Sequence, residues 1–182
     1  MKIAITGTPG TGKTSVAKKL GNEGYKVVHL NQMAIKNFLD GEDKKRDSKI
    51  INIDKLNSFL EEKFKDVDDY IFFESHLSHL LNCVDKIIVL RCHPMSLKKR
   101  LESKQWKKQK VKENLEAEII DIVLCETLEV HSQSDVFEID TTSINIDDVS
   151  SVIKKLVEKD FKSNKGYEVG KVDWSEEILK NF

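Results

Sequence analysis

Short runs rich in β-branched and other apolar residues recur along the chain: Lys2–Thr6, Lys26–Leu30, Tyr70–Glu74, Lys86–Arg91 and Val136–Asp140. Most are continuous in polarity, as expected of parallel strands covered on both faces. Between them apolar residues return at helical spacing. Val16, Ala17 and Leu20 follow Gly12. Leu56, Leu60 and Phe64 follow a candidate cap at Asp54, and Met95 to Leu101 begins after Pro94. Val111, Leu115, Ile119, Ile122 and Cys125 mark one longer helix. Val149, Val152, Ile153, Leu156 and Val157 mark another, within 147–159. Strand alternating with helix predicts a doubly wound α/β fold, three layers deep, with helices on both faces of a five-stranded parallel sheet.

Two stretches break the rhythm. Asn37–Ile51 is polar, and Ser103–Lys112 is basic with a single aromatic residue, Trp106. Polar excursions from a rigid sheet are where lids and substrate clamps occur, and also where plain solvated surface lies. After Phe161 the periodicity fades, yet Tyr167, Val169, Val172 and Trp174 are too apolar for a free tail. They are expected to lie on the body or on a partner. A chain of 182 residues therefore reads as one domain, 1–160, followed by a tail, 161–182.

Composition narrows the class. Eight glycines and two prolines exclude collagen-like and low-complexity chains. Three cysteines without CxxC spacing argue against a disulfide framework or zinc site and favour a reducing compartment. No apolar run reaches the roughly 18 residues that a membrane helix needs. A net charge of −1 gives no general pull toward nucleic acid. Lysine dominates the basic residues, as in a thermophile or an AT-rich genome, so Arg46, Arg91 and Arg100 stand out as candidate phosphate forks.

The chemistry concentrates near the N-terminus. Gly7-Thr8-Pro9-Gly10-Thr11-Gly12-Lys13-Thr14 fits GxxxxGK[ST], with an apolar strand before it and a helical pattern after it. Glycines let the backbone turn its N–H groups inward around a β-phosphate, and a helix N-terminus adds positive potential. Lys13 is placed for the β- and γ-phosphates and the Thr14 hydroxyl for Mg²⁺, with Thr11 and Ser15 as weaker phosphate contacts. Glu74 ends the third strand, where a carboxylate can hold Mg²⁺ through water. His76 just beyond it is either a phosphate or water contact or an ordinary polar residue. His79 reads as an ordinary polar residue on a helix surface. Arg91 ends the fourth strand, at the sheet edge where ligands bind, and is either a clamp for a second phosphate or a surface salt bridge.

GTPGTGKTS, the ESH after strand three, VLRCHP with LKKRLESKQW, KENLEAEI, EIDTT and the closing VDWSEEI run through nearly the whole chain in order. Together they resemble the nuclear-type adenylate kinase family, P-loop nucleoside monophosphate kinases that include the coilin-interacting nuclear ATPase and its archaeal and yeast relatives. The resemblance implies a P-loop fold with strand order 2-3-1-4-5, an AMP-binding segment at about 30–53 and a short lid at about 103–113. It implies Mg²⁺-dependent phosphoryl transfer from ATP to AMP, accompanying ATP hydrolysis, and a part in small ribosomal subunit maturation through a ribosomal platform protein. The protein would be a monomer or a complex with that partner, cytoplasmic if archaeal. ATP would meet Gly7, Pro9, Gly10, Thr11, Gly12, Lys13, Thr14, Ser15 and Lys104. AMP would meet Asn31, Arg46 and Arg91, and residues 140–143 would flank adenine. Lys13, His76, Arg91 and Lys104 would act in catalysis.

The chain departs from the family pattern twice. The lid reads Lys104-Gln105-Trp106 where the family has Arg-Gly-aromatic, which keeps a charge and loses the fork. Glu74-Ser75-His76 stands where Asp-x-His is usual. An assembly ATPase with little kinase turnover, or a kinase for another monophosphate, fits the same motifs.

Overall fold

The computed structural model describes residues 1–43, 48–163 and 165–181. In chain order the elements are β1 (Lys2–Thr6), α1 (Lys13–Asn22), β2 (Lys26–His29), α2 (Leu30–Asn37), β3 (Leu39–Asp43), β4 (Ser48–Ile51) and α3 (Ile53–Lys63). There follow β5 (Ile71–Glu74), a 3₁₀ turn at Ser78–Leu80, β6 (Lys86–Arg91), α4 (Pro94–Ser103), α5 (Lys108–Ile119) and α6 (Ile122–Val130). A second 3₁₀ turn at Gln133–Asp135 leads into β7 (Val136–Asp140), α7 (Ile146–Glu158) and α8 (Ser175–Asn181).

The main sheet runs β2-β5-β1-β6-β7, every neighbouring pair parallel. Counting only its own five strands, this is the order 2-3-1-4-5. The labels shift because β3 and β4 form a separate antiparallel hairpin within the polar stretch 37–51. Strand period two divides the core. Ala4, Ile71, Phe73, Ile87 and Val89 face Leu30, Leu56, Leu60 and Leu124 of α2, α3 and α6. Ile3, Ile5, Phe72, Ile88, Leu90 and Phe137 face Val16 and Leu20 of α1 and Val149, Ile153 and Leu156 of α7. A third cluster, Cys92, Leu97, Leu101 and Val111 with Trp106 against it, joins α4 to α5.

The third sheet strand begins at Ile71 and not Tyr70, α7 spans Ile146–Glu158 in place of 147–159, and three further boundaries differ from the sequence expectation. Leu30 opens α2 instead of closing β2, and its side chain is buried with Ala34 beneath the sheet. Asn52, not Asp54, caps α3: its Oδ1 accepts a hydrogen bond from the Lys55 amide at 3.0 Å. The single long helix expected over 111–126 breaks between α5 and α6 at Asp121, a non-glycine residue at φ 57°. Its carboxylate accepts from the Arg91 guanidinium, which holds the break in place.

The C-terminal segment lies on the body. The Tyr167 carbonyl accepts from Glu138 N at 2.9 Å, and the Gly170 amide donates to Glu138 Oε2 at 2.6 Å. Tyr167 packs on one face's core and Val169 on the other's, so the segment wraps the β7 edge. Replacing Asn52 with Ala is expected to cost about 1 kcal/mol, the usual value of a lost helix cap. Asp54→Ala, which removes only a first-turn charge, is expected to cost no more than about 0.5 kcal/mol. Urea unfolding of the two variants separates the roles.

Candidate active site

The turn after β1 is shaped by steric necessity. Gly7 sits at φ 133°, and a Cβ there would stand 2.3 Å from the Leu90 carbonyl oxygen on β6. Gly10 sits at φ 100°, and a Cβ there would meet Leu97 at 2.7 Å and Leu101 at 2.9 Å. Glycine alone lets the loop lie against both β6 and α4. Thr11 N and Thr11 Oγ1 both donate to the Thr8 carbonyl, and α1 starts directly afterwards. The result is a phosphate cradle at a helix N-terminus.

Lys13 is 7% exposed and closes the mouth of the cradle. Its Nζ donates to the carbonyls of Gly7 at 2.6 Å and Thr8 at 3.0 Å. Burial pushes its pKa down to about 8, against the pull of Glu74 and Glu118 and with the help of Lys104. Beside it the Thr14 hydroxyl donates to Glu74 Oε1 at 3.0 Å. The other carboxylate oxygen of Glu74 lies 2.7 Å from His29 Nδ1, across the register pair His29–Glu74 of β2 and β5. A hydroxyl and a carboxylate side by side are the hard oxygen donors that suit Mg²⁺, which keeps most of its ligands as water and phosphate oxygen. Among the described residues no cluster of three or more His, Cys, Asp or Glu could cage a metal unaided. The donor set thus fits an ion that arrives with a nucleotide.

Two clefts flank the cradle and share Gly10, Gly12, Ser15 and Lys104 as walls. One, about 430 Å³, runs between Arg100 and Thr141 on one side and Ile144, Ile146 and Val149 on the other. The second, about 380 Å³, is lined by Pro9, Lys13, Thr14, Asn31, Glu74, His76, Trp106 and Lys110. The first is largely apolar, suited to a base; the second is ringed by charge. His76 faces this second cleft, where desolvation and the Lys13 ammonium push its pKa down to about 4, so it is neutral near pH 7. Asn31 Oδ1 accepts from Ser75 Oγ at 2.6 Å, and Lys110 Nζ lies 5.4 Å from the Trp106 ring centre.

Other sequence candidates fall elsewhere. His79 is buried, not on a helix surface. Its Nδ1 lies 3.0 Å from Thr6 Oγ1 and its Nε2 2.9 Å from Glu126 Oε2, which ties the end of β1 to α6. Arg91 is 2% exposed and surrounded by acid, neither a surface salt bridge nor free for a second phosphate in this arrangement. Its Nε donates to Glu118 Oε1 at 3.0 Å, one terminal nitrogen to Glu138 Oε1 at 2.5 Å, and the other to Asp121. Arg100 is spent on the Thr141 and Thr142 carbonyls. Arg46 lies outside the described residues. The adenine segment expected at 140–143 contributes Thr141, while the apolar wall comes from the next turn, 144–149.

Sequence reasoning assigned no role to His29 or Glu118, and it offered Lys110 only as one of the lid lysines, with Lys107 and Lys108, that could stand in for an arginine. Glu118 lies in the quoted run KENLEAEI, but only the fold shows that its carboxylate meets Thr8, Arg91 and Trp174.

A model of the AAA domain family matches residues 3–121. A protein named "Putative adenylate kinase" from Archaeoglobus fulgidus is 41% identical over 98% of this chain and 94% of its own length. One of the same name from Methanocaldococcus jannaschii is 42% identical over 98% of this chain and 96% of its own. A solved Thermus thermophilus protein, 16% identical, aligns with a TM-score of 0.56 over 87% of this chain and 97% of its own, a likeness of fold.

Removing Arg91 leaves three carboxylates around an empty pocket, and Arg91→Ala is expected to destabilise the fold by about 3–5 kcal/mol. Thermal and urea unfolding measure this directly. A second expectation concerns Lys13. Phosphate binds its charged form, which the free protein begins to lose near pH 8. ADP affinity is therefore expected to be flat below that pH and to fall by up to about tenfold per unit above it. Titration calorimetry across that range reads both the affinity and the proton uptake.

Proposed function

Since the chain belongs to the P-loop nucleoside monophosphate kinase family, we propose that it is an adenylate kinase that moves the γ-phosphoryl of ATP to AMP. The observation that carries this reading is the pair of clefts meeting at one cradle. An apolar lobe suits the adenine of the donor, and a charged lobe with Lys13, Lys104 and Lys110 suits phosphates approaching from the other side. The archaeal relatives support the same assignment, and a cytoplasmic setting belongs to the proposal as what the resemblance implies.

Phosphoryl transfer asks for alignment and charge neutralisation more than for covalent chemistry. The amides of the loop through Gly12 and the start of α1 hold the β-phosphate. Lys13 leaves the Gly7 and Thr8 carbonyls for β- and γ-oxygens, trading neutral acceptors for charged ones. Thr14 and Glu74 are the residues that would hold Mg²⁺, which when bound screens the phosphate oxygens. His29 fixes the outer oxygen of Glu74. His76, held neutral, can touch a phosphate oxygen or water without adding another fixed charge. Lys104 and Lys110 stand over the transferring group, and the Trp106 ring helps to exclude water.

The ATP hydrolysis and the ribosomal platform partner implied by the resemblance belong to the proposal on that ground alone. Of the tail residues that suggested a protein partner, Tyr167 and Val169 pack against this chain's own core and Trp174 against His93.

The test is ADP formation from Mg-ATP by the purified protein, with and without AMP. Two ADP per ATP consumed, strictly dependent on AMP, is the expected result. Slow hydrolysis indifferent to AMP would replace the kinase with an assembly ATPase. Lys13→Ala is expected to reduce turnover by at least about a hundredfold while the fold persists, since it removes a charge stabilising the transition state.

A further inference from the structure

The Glu118 carboxylate is 2% exposed and saturated with donors. Oε1 accepts from Arg91 Nε at 3.0 Å, from the Cys92 amide at 3.1 Å and from the indole N–H of Trp174 at 3.2 Å. Oε2 accepts from the Thr8 hydroxyl at 2.5 Å. Thr8 is a phosphate-loop residue whose carbonyl receives Thr11 N, Thr11 Oγ1 and Lys13 Nζ. An unbroken run of hydrogen bonds therefore passes from the C-terminal segment through α5 to the lysine of the cradle.

We propose that Glu118 is a positioning residue for nucleotide phosphate and that Trp174 completes its hold, which makes the C-terminal segment a working part of the active site. The proposal rests on the kinase reading only in taking the cradle to bind nucleotide phosphate.

The backbone supports it. α5 lies between two non-glycine residues in the left-handed region, Gln105 at φ 56° and Asp121 at φ 57°. At its N-terminal end α5 carries Lys110 of the charged cleft, and at its C-terminal end it carries Glu118. At about 1.5 Å rise per residue these two lie roughly 12 Å apart along one rigid helix. Any swing of the lid end turns the helix about the point where Glu118 is fixed to Thr8. Trp174 sets that point from outside: its ring packs edge-on to His93 at 5.0 Å while its N–H reaches the carboxylate. A fully buried carboxylate short of one donor relaxes toward the donors that remain, Arg91, the Cys92 amide and the Thr8 hydroxyl, and of these Thr8 belongs to the phosphate loop.

The test uses the full-length protein with ADP as probe, because ADP needs the cradle and no acceptor. Trp174→Phe keeps the ring and loses only the donor; Thr8→Val keeps the shape and loses the hydroxyl. Each is expected to weaken ADP binding roughly threefold to tenfold, less than the full value of a hydrogen bond to a charged group because the lost bond positions the loop and does not touch the ligand. The double variant is expected to lose less than the product of the two, since both act through one carboxylate. Thr8→Ser is expected to bind as the wild type does. Unchanged ADP affinity in both single variants, with only a lower melting temperature, would overturn the proposal by showing a merely structural contact. Independent, multiplicative losses would overturn it too. AMP-dependent turnover of the wild type, measured in parallel, keeps the two readings apart: its absence would sink the kinase assignment and leave the ADP result standing.

Discussion

The guanidinium of Arg91 is where the separate parts of this molecule meet. It sits at the end of β6, and its hydrogen bonds run to α5 through Glu118, to the helix break through Asp121 and to β7 through Glu138. The C-terminal segment then closes on the same acids, through Gly170 and Trp174. Buried ion pairs add little net stability, because desolvation offsets most of the attraction. Their value is that they tolerate one geometry. Here that geometry sets the angle at which α5 leaves the sheet and the place where the chain's end docks. The balance is also uneven, three carboxylates to one cation. Burial raises the pKa of Glu138 and Asp121 more than Arg91 lowers it. Those two acids favour the fold while protonated, and their contribution fades as pH rises past the ordinary carboxylate range. The desolvated His76, His79 and His131 act in the opposite direction: their contribution is lost as pH falls through the imidazole range. The cluster and the histidines thus pull in opposite directions, and between the carboxylate and imidazole ranges neither contributes in full.

The cradle depends on that arrangement from the other side. Gly7 can approach the Leu90 carbonyl only because it has no Cβ, and Gly10 likewise fits between Leu97 and Leu101. The loop is pressed onto the ends of β6 and α4, and Thr8 and Thr11 anchor it to Glu118 and Thr141. A loop held at so many points can present its amides without an entropic penalty when phosphate arrives. The resting contact of Lys13 with two loop carbonyls shows the same economy, since a charge that would otherwise be buried alone keeps partners until a stronger acceptor replaces them.

How much of this was legible in the sequence follows from how local each signal is. The sheet was legible because parallel strands covered on both faces read as unbroken apolar runs, and β1, β6 and β7 have the expected limits. The phosphate loop was legible because its glycines answer to backbone geometry within eight residues. Leu30 misled as a strand end because its burial is equally natural at the first turn of α2. The β3–β4 hairpin left little apolar signature, as Leu39 and Ile50 are both exposed and Ile51 is the residue of the pair that packs against the core. The break at Asp121 runs against local propensity and exists because Arg91, thirty residues earlier, receives its carboxylate. Arg91 itself shows the limit most clearly. Its place at the end of a parallel strand suggested a ligand clamp, and no local feature of the sequence says that Glu118, Asp121 and Glu138 converge on it.

On the function proposed above, that arrangement redistributes the work of holding phosphate. Of the three arginines, Arg91 is enclosed by carboxylates and Arg100 supports the Thr141–Thr142 carbonyls beside the apolar cleft. The cations that line the described clefts around the cradle and remain available to a ligand are lysines: Lys13, Lys104 and Lys110. A lysine is a point charge on a flexible stem and has no fixed fork to dictate the orientation of a phosphate. Orientation must then come from elsewhere, and the structure offers it in rigid form: the loop amides, the Thr14–Glu74–His29 chain and the Trp106 ring. On the proposed reading, charge lowers the barrier and backbone supplies the alignment. On that reading Lys104 can stand where the resemblance implies a lid arginine, because the fork given up is a device for alignment that this cradle would already provide.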